Sequence, residues 1–236
     1  RGIESHTFLP SEFVNSPYNK IVTDGANLHP YFSPAEGLTE MAGCLNAEDK
    51  GYFYFYYDKI DATGHEYGTD SKYFESEVDL FFNALENAFF KLLKYGKNNT
   101  LVLLSADHGQ TDVNPKTTIY LDKKIKDIGK YFKRNKRNEL IVPAGSCRDM
   151  FLHVKEEFIY ELLAGRAEIR QTEDLIKEGY FGKKISENFL SKVGNLVILP
   201  YKGESVWWYG KGIFEQKHIG HHGGLTSEEM EIPLLA

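Results

Sequence analysis

A chain of 236 residues is long enough for one large α/β domain, or for a core carrying a smaller inserted lobe. Its net charge of -6 speaks against nucleic-acid binding by charge alone, and no apolar run reaches the ~20 residues that span a bilayer. The two cysteines, Cys44 and Cys147, lack CxxC spacing, which speaks against a disulfide framework and points to a reducing, cytoplasmic compartment.

The start, Arg1-Gly2-Ile3-Glu4-Ser5, has neither an initiating Met nor a signal-peptide core, as in a processed piece. Residues 1–50, rich in Pro, Gly, Asn and Ser, read as irregular connections with short strands. The aromatic run 52–57 reads as a buried strand, and the polar residues 58–69 as a loop. From Asp70, placed as an N-cap, apolar positions Phe74, Val78, Phe81, Phe82, Leu85 and Phe89 recur at helical spacing towards a stop at Gly96. Residues 100–105 form a second apolar run that ends in Ala106-Asp107-His108-Gly109. Strand, helix, strand is a βαβ signature, so the two strands are expected to be parallel and buried on both faces. Residues 115–145, with strand patterns at 118–121 and 139–142, read as an inserted hairpin or lobe. Its basic stretch, from Lys123 to Arg137, reads as solvated. Strands follow at 150–154, 196–199 and, at an edge, 204–209, with a short helix at 156–163. Adjacent Trp207 and Trp208 point to opposite faces, and a packing role is expected for them. The tail from His218 is a His/Gly loop followed by a segment capped by Thr226.

Chemistry-bearing residues gather where the two strands end: Asp61 and His65 after the first, Asp107 and His108 after the second. Loops at the C-terminal ends of parallel strands build active sites in open sheets. A third group, His218 with His221 and His222, comes near the chain's end. Mixed Asp and His donors suit zinc, with manganese or iron as alternatives.

These three groups carry a resemblance. Residues 60–68, Ile-Asp-Ala-Thr-Gly-His-Glu-Tyr-Gly, resemble the "Asp, three residues, His" loop of type I phosphodiesterases and nucleotide pyrophosphatases of the alkaline phosphatase superfamily. Ser105-Ala106-Asp107-His108-Gly109 is similar to that family's second ligand pair, and His222-Gly223-Gly224-Leu225-Thr226 to its closing motif. The resemblance implies an alkaline-phosphatase-like α/β fold with a mainly parallel central sheet flanked by helices, as one catalytic domain across residues 1–236. It implies two divalent ions clamping an in-line displacement at phosphorus. Asp61, His65 and His222 would hold one ion, and Asp107 and His108 part of the other. The implied substrate is a small-molecule phosphodiester or nucleotide. Phosphomutases and phosphatases share these ligands and stay open, as does a non-catalytic metal-binding module. A sulfatase is disfavoured, because neither cysteine begins a Cys-x-Pro-x-Arg element.

The family's first strand, with an Asp ligand and a Thr or Ser nucleophile at a helix N-terminus, has no match in residues 1–50. Thr7, Ser11, Ser16 and Thr23 lack that setting. The resemblance therefore implies a domain truncated at its N-terminal side, missing a segment of the same protein. Such a chain is expected to bind one ion well, to lack its catalytic nucleophile and to be inactive or very weak. The Gly-Leu-Thr after His222-Gly223 differs from the Tyr-Asp-Asn of animal nucleotide pyrophosphatases, which loosens the nucleotide assignment. Arg148 is open between a phosphate donor and a tie between loop and sheet.

Overall fold

The computed structural model describes residues 2–48, 50–94, 99–155, 160–186 and 188–236. The chain divides into two compact units, one of residues 1–63 and 71–103 (with residue 236) and one of residues 64–70 and 104–235.

The first unit is a three-stranded parallel sheet with helices. Its elements are β1 (Glu4–Pro10), α1 (Pro17–Val22), β2 (Asn27–Tyr31), α2 (Pro34–Ala47), β3 (Gly51–Phe55), the start of α3 (Lys59–Tyr67), and α4 (Lys72–Ala88). The strand order is β2-β1-β3, with His6 opposite Asn27 and Phe53, and Phe8 opposite His29 and Phe55. Parallel neighbours need a crossover, and α2 supplies the one from β2 to β3. Ser33 starts it: the hydroxyl accepts from Glu36 N–H while the Glu36 carboxylate accepts from Ser33 N–H, with Pro34 in the first turn. Leu38, Ala42 and Leu45, at helical spacing, bury against Phe53 and Phe55 and against Ala84, Leu85, Ala88 and Phe89 of the α4 region.

The second unit is built on an antiparallel sheet in the order β7 (Ala144–Gly145), β8 (Met150–Leu152), β10 (Leu196–Pro200), β9 (Ala167–Gln171). Strand β10 is buried along its whole length. Leu196 and Ile198 pack with Met150, Leu152, Phe132, Val206 and Trp208, while Val197 and Leu199 pack with Leu175 on the other face. Two-stranded ladders complete it: β4 (Leu104–Ser105) with β13 (Leu234–Leu235), β5 (Thr111–Asp112) with β12 (Gly220–His221), and β6 (Ile119–Tyr120) with β11 (Val206–Trp207). The short helices are α5 (Leu121–Lys124), α6 (Tyr160–Leu163), α7 (Thr172–Lys177), α8 (Phe189–Val193) and α9 (Ser227–Met230).

Several local expectations change. Residues 1–50 hold two strands and two helices rather than mainly irregular connections. The signal for α2 was the Ser-Pro-x-Glu box, masked by the Pro and Gly around it. Residues 59–67 are helix α3 rather than loop, and α4 is capped by Ser71, not Asp70, with Phe74 N–H on the Ser71 hydroxyl. Gly96 and residues 156–159 lie outside the described residues. The run 100–105 shrinks to β4, which pairs antiparallel with β13 rather than extending the β1–β3 sheet, and Leu101 and Leu103 are exposed. Apolar composition makes a strand possible, but partner strands decide whether it forms and is buried. In β3 the aromatic run alternates, with Tyr52 and Tyr54 exposed and Phe53 packed on the core. Trp208 is buried beside Phe132 and Trp207 packs on the same core, so both tryptophans are packing residues.

Candidate metal centre

Helix α3 carries Asp61 in its first turn and His65 in its last, four residues apart and so on one face. The helix stops at Gly68, whose φ is +85°, with Gly68 N–H on Gly64 O at 2.8 Å. Immediately after, Thr69 N–H and its hydroxyl donate to Asp112 Oδ1 on β5 (2.8 and 3.1 Å). The β5 partner is β12, and Gly220 of β12 accepts from His65 Nδ1–H at 2.7 Å. A carbonyl can only accept, so the proton is on Nδ1 and the His65 lone pair is on Nε2. Gly220 is glycine for a steric reason: a Cβ there would collide with Gly64 O and the Gln110 side chain.

His108 uses the same device, donating Nδ1–H to Gly109 O at 3.0 Å. Its ring stacks on His222, with centroids 3.6 Å apart and planes within 12°, and a ring nitrogen of each lies within 4.8 Å of the other. His222 is also 5.1 Å from His65 between ring centroids. His65, His108 and His222, from three distant parts of the sequence, thus meet in the second unit. Asp107 is exposed, with Oδ1 3.6 Å from His108 Nε2.

A buried ion pair anchors the turns that follow His108 and His222. Arg148 and Glu229, 0% and 1% exposed in their side chains, form a bidentate pair through Nε–Oε1 (3.0 Å) and Nη2–Oε2 (2.8 Å). Arg148 also donates to Tyr201 O and Glu204 O. Glu229 accepts from Gly224 N–H (2.9 Å) and the Thr226 hydroxyl (2.7 Å), while its own carbonyl accepts from Gly109 N–H (2.9 Å). One residue therefore anchors both the turn after His108 and the turn after His222. Burial pushes the Glu229 carboxyl up, but Arg148 and Thr226 outweigh it and hold the group below its ordinary range. Arg148 is a tie between loops, since its donors face protein acceptors. Sequence reasoning missed the role of Glu229. The available signal was an arginine next to a strand, which needs a carboxylate if it is buried.

Gly223, with φ +112°, has no room for a Cβ, which would lie 2.8 Å from Ser146 Oγ. Ser146 in turn donates to Asp149 Oδ1 and to His222 O. His221 is buried on β12 with Nε2–H on His218 O at 3.2 Å, and burial pushes its pKa down to about 4. It is a neutral packing residue. Cys147 is buried and its thiol is pushed up to about 12, again by burial, so it offers no thiolate.

The sequence model of the type I phosphodiesterase / nucleotide pyrophosphatase family matches residues 5–224. Comparison with curated proteins gives no match. Among solved structures, murine ectonucleotide pyrophosphatase/phosphodiesterase 5, as an inactive variant in complex with AMP, aligns with a TM-score of 0.63 at 19% identity over 99% of this chain. The human counterpart aligns at 0.59 and 16% identity over 99% of the chain. This chain spans about 60% of the length of each of these two relatives. Phosphonoacetate hydrolase from Sinorhizobium meliloti, in complex with phosphonoformate, aligns at 0.55 and 11% identity, over 99% of this chain and 65% of that one. These likenesses show an alkaline-phosphatase-like α/β fold.

Proposed function

Because the chain belongs to the type I phosphodiesterase/nucleotide pyrophosphatase family, we propose that it carries the metal-holding part of a site that hydrolyses phosphodiester or pyrophosphate bonds of a small nucleotide-type substrate. The observation that carries this reading is the meeting of His65, held by Gly220 O, with His108 and His222, whose following turns are anchored by the Arg148–Glu229 pair.

The donor set fits divalent ions of the zinc class. His65 and His108 are each held by a backbone carbonyl at Nδ1, which presets the tautomer that ligates through Nε2. Asp61, one turn before His65 on α3, and Asp107, beside His108, supply carboxylates. Asp61, His65 and His222 are assigned to one ion, and Asp107 and His108 to part of another, with manganese and iron as alternatives. When bound, two such ions offset charge on the attacking and leaving oxygens at phosphorus. The chain's own contribution is to orient the imidazoles and, for His65 and His108, to preset the tautomer.

The nucleophile is assigned to a segment outside these 236 residues. Within them, Thr7 is buried in β1, Ser16 accepts from Asn19 N–H as the α1 cap, and Thr23 donates to Asn19 O. The test is calorimetric titration with AMP, with and without zinc, beside hydrolysis of bis(p-nitrophenyl) phosphate and p-nitrophenyl phosphate. Zinc-dependent AMP binding without turnover is expected. Diester turnover by this chain would refute the outside nucleophile, monoester preference would favour a phosphatase or mutase, and no zinc-dependent binding would leave a module of other function.

A further inference from the structure

A second group of ligand atoms lies in the first unit, built from residues that belong to none of the motifs of the proposed site. His6 of β1 and His29 of β2 stand on the sheet face covered by α2, because β1 and β2 pair in parallel with His6 opposite Asn27 and Phe8 opposite His29. From α2, Glu40 and Cys44, four residues apart, project along one edge of the helix. One nitrogen of each imidazole and Cys44 Sγ lie within 4.8 Å of one another. His6 stacks on Phe53 and His29 on Phe8, so ring packing holds both imidazoles in place.

We propose that His6, His29 and Cys44 hold a zinc-class metal ion that pins α2 to the edge of the parallel sheet. The hydrogen bonds favour a cation there. His29 Nδ1–H donates to Glu40 Oε1 at 2.7 Å, so the His29 lone pair is on Nε2, and that atom faces His6 Nδ1 at 3.1 Å. If His6 donates from Nδ1, its buried Nε2 is a bare acceptor with no hydrogen-bond partner among the described residues, 3.9 Å from the Glu4 carboxylate. If His6 instead carries its proton on Nε2, towards Glu4, two lone pairs oppose each other at 3.1 Å. A metal ion between the two facing nitrogens removes both faults. It accepts both lone pairs, and each distal N–H then points to a carboxylate, the outer arrangement common around metal-bound histidine. Tetrahedral zinc–nitrogen bonds place two nitrogens ~3.3 Å apart, within a few tenths of the distance found. Cys44 is half-buried, which leaves one side open for a water as fourth ligand. On binding, the Cys44 thiol gives its proton to solvent and Sγ bonds the ion. Thiolate with imidazole selects zinc-class ions over magnesium or calcium.

The thiolate makes this site separable from the proposed centre, whose donors are oxygen and nitrogen only. Cobalt(II) titration of the full chain, followed in the near ultraviolet, tests it. A thiolate-to-cobalt charge-transfer band should saturate at one equivalent. It should vanish in Cys44→Ser and need at least ~10-fold more cobalt in His29→Ala, since loss of a ligand exceeds loss of an outer partner. It should persist in Cys147→Ser and in His222→Ala. Far-UV circular dichroism of each variant separates loss of a ligand from loss of the fold, and buried His6 is left untouched for that reason. No band in the folded wild type, or a band that survives Cys44→Ser, overturns the proposal.

Discussion

In the second unit, His65 and His108 each donate Nδ1–H to a backbone carbonyl, Gly220 O and Gly109 O. In the first, His29 donates to a side chain, the Glu40 carboxylate of α2. The first arrangement ties ring orientation to turn geometry, so anything that moves the turn moves the ring. The second ties it to helix packing, where a side chain can shift without the backbone following. The proposed neighbouring donors differ as well, Asp61 and Asp107 against the Cys44 thiol, and thiolate and carboxylate donors favour different ions. Under the two proposals the imidazole groups have different tasks: the one tied to backbone carbonyls serves chemistry, and the one on β1, β2 and α2 holds a structural ion.

The comparison breaks most readily at the Arg148–Glu229 pair. Glu229→Gln should cost about 3–5 kcal/mol in urea denaturation, because it strands a fully buried guanidinium. Replacing Arg148 by Met in the same chain should recover part of that loss. The same pair predicts an acid response. The Glu229 carboxyl is held below its ordinary value, so its stabilisation is complete above a pH of about 4.5 and drains away as pH falls below it. Urea midpoints between pH 7 and pH 3 should therefore fall, and fall less steeply in Glu229→Gln. A smaller effect is expected at Gly223. Gly223→Ala adds a Cβ against Ser146 Oγ at φ +112°, costing roughly 1–3 kcal/mol. It should also weaken zinc binding at the His222 group while sparing the cobalt–thiolate band. Smallest is Ser33→Ala, which removes the α2 cap hydroxyl for about 1 kcal/mol in thermal unfolding. By comparison, that change should weaken the Cys44 group and leave the His222 group alone.

Much of the proposed centre was legible because its residues sit in short, contiguous motifs. Asp61 with His65, and His108 beside Asp107, need only local chain geometry to stay together. The family and the fold followed from the order of those motifs. The tertiary support was hidden. Glu229 acts on residues 81 and 120 positions away, Arg148 and Gly109, and no local pattern announces such a bond. The run 100–105 shows the opposite failure: its composition fits a buried strand, yet Leu101 and Leu103 face outwards. His6, His29 and Cys44 were invisible as a group, since a parallel crossover, not sequence spacing, brings them together.

The most direct test of the central claim is calorimetric zinc titration in the Cys44→Ser background, which removes the thiol group from the count. One tightly bound ion is predicted, lost in Asp61→Ala and in His222→Ala and retained in Asp107→Ala. Zinc binding that is indifferent to Asp61 and His222 would contradict the assignment of these residues to a metal centre.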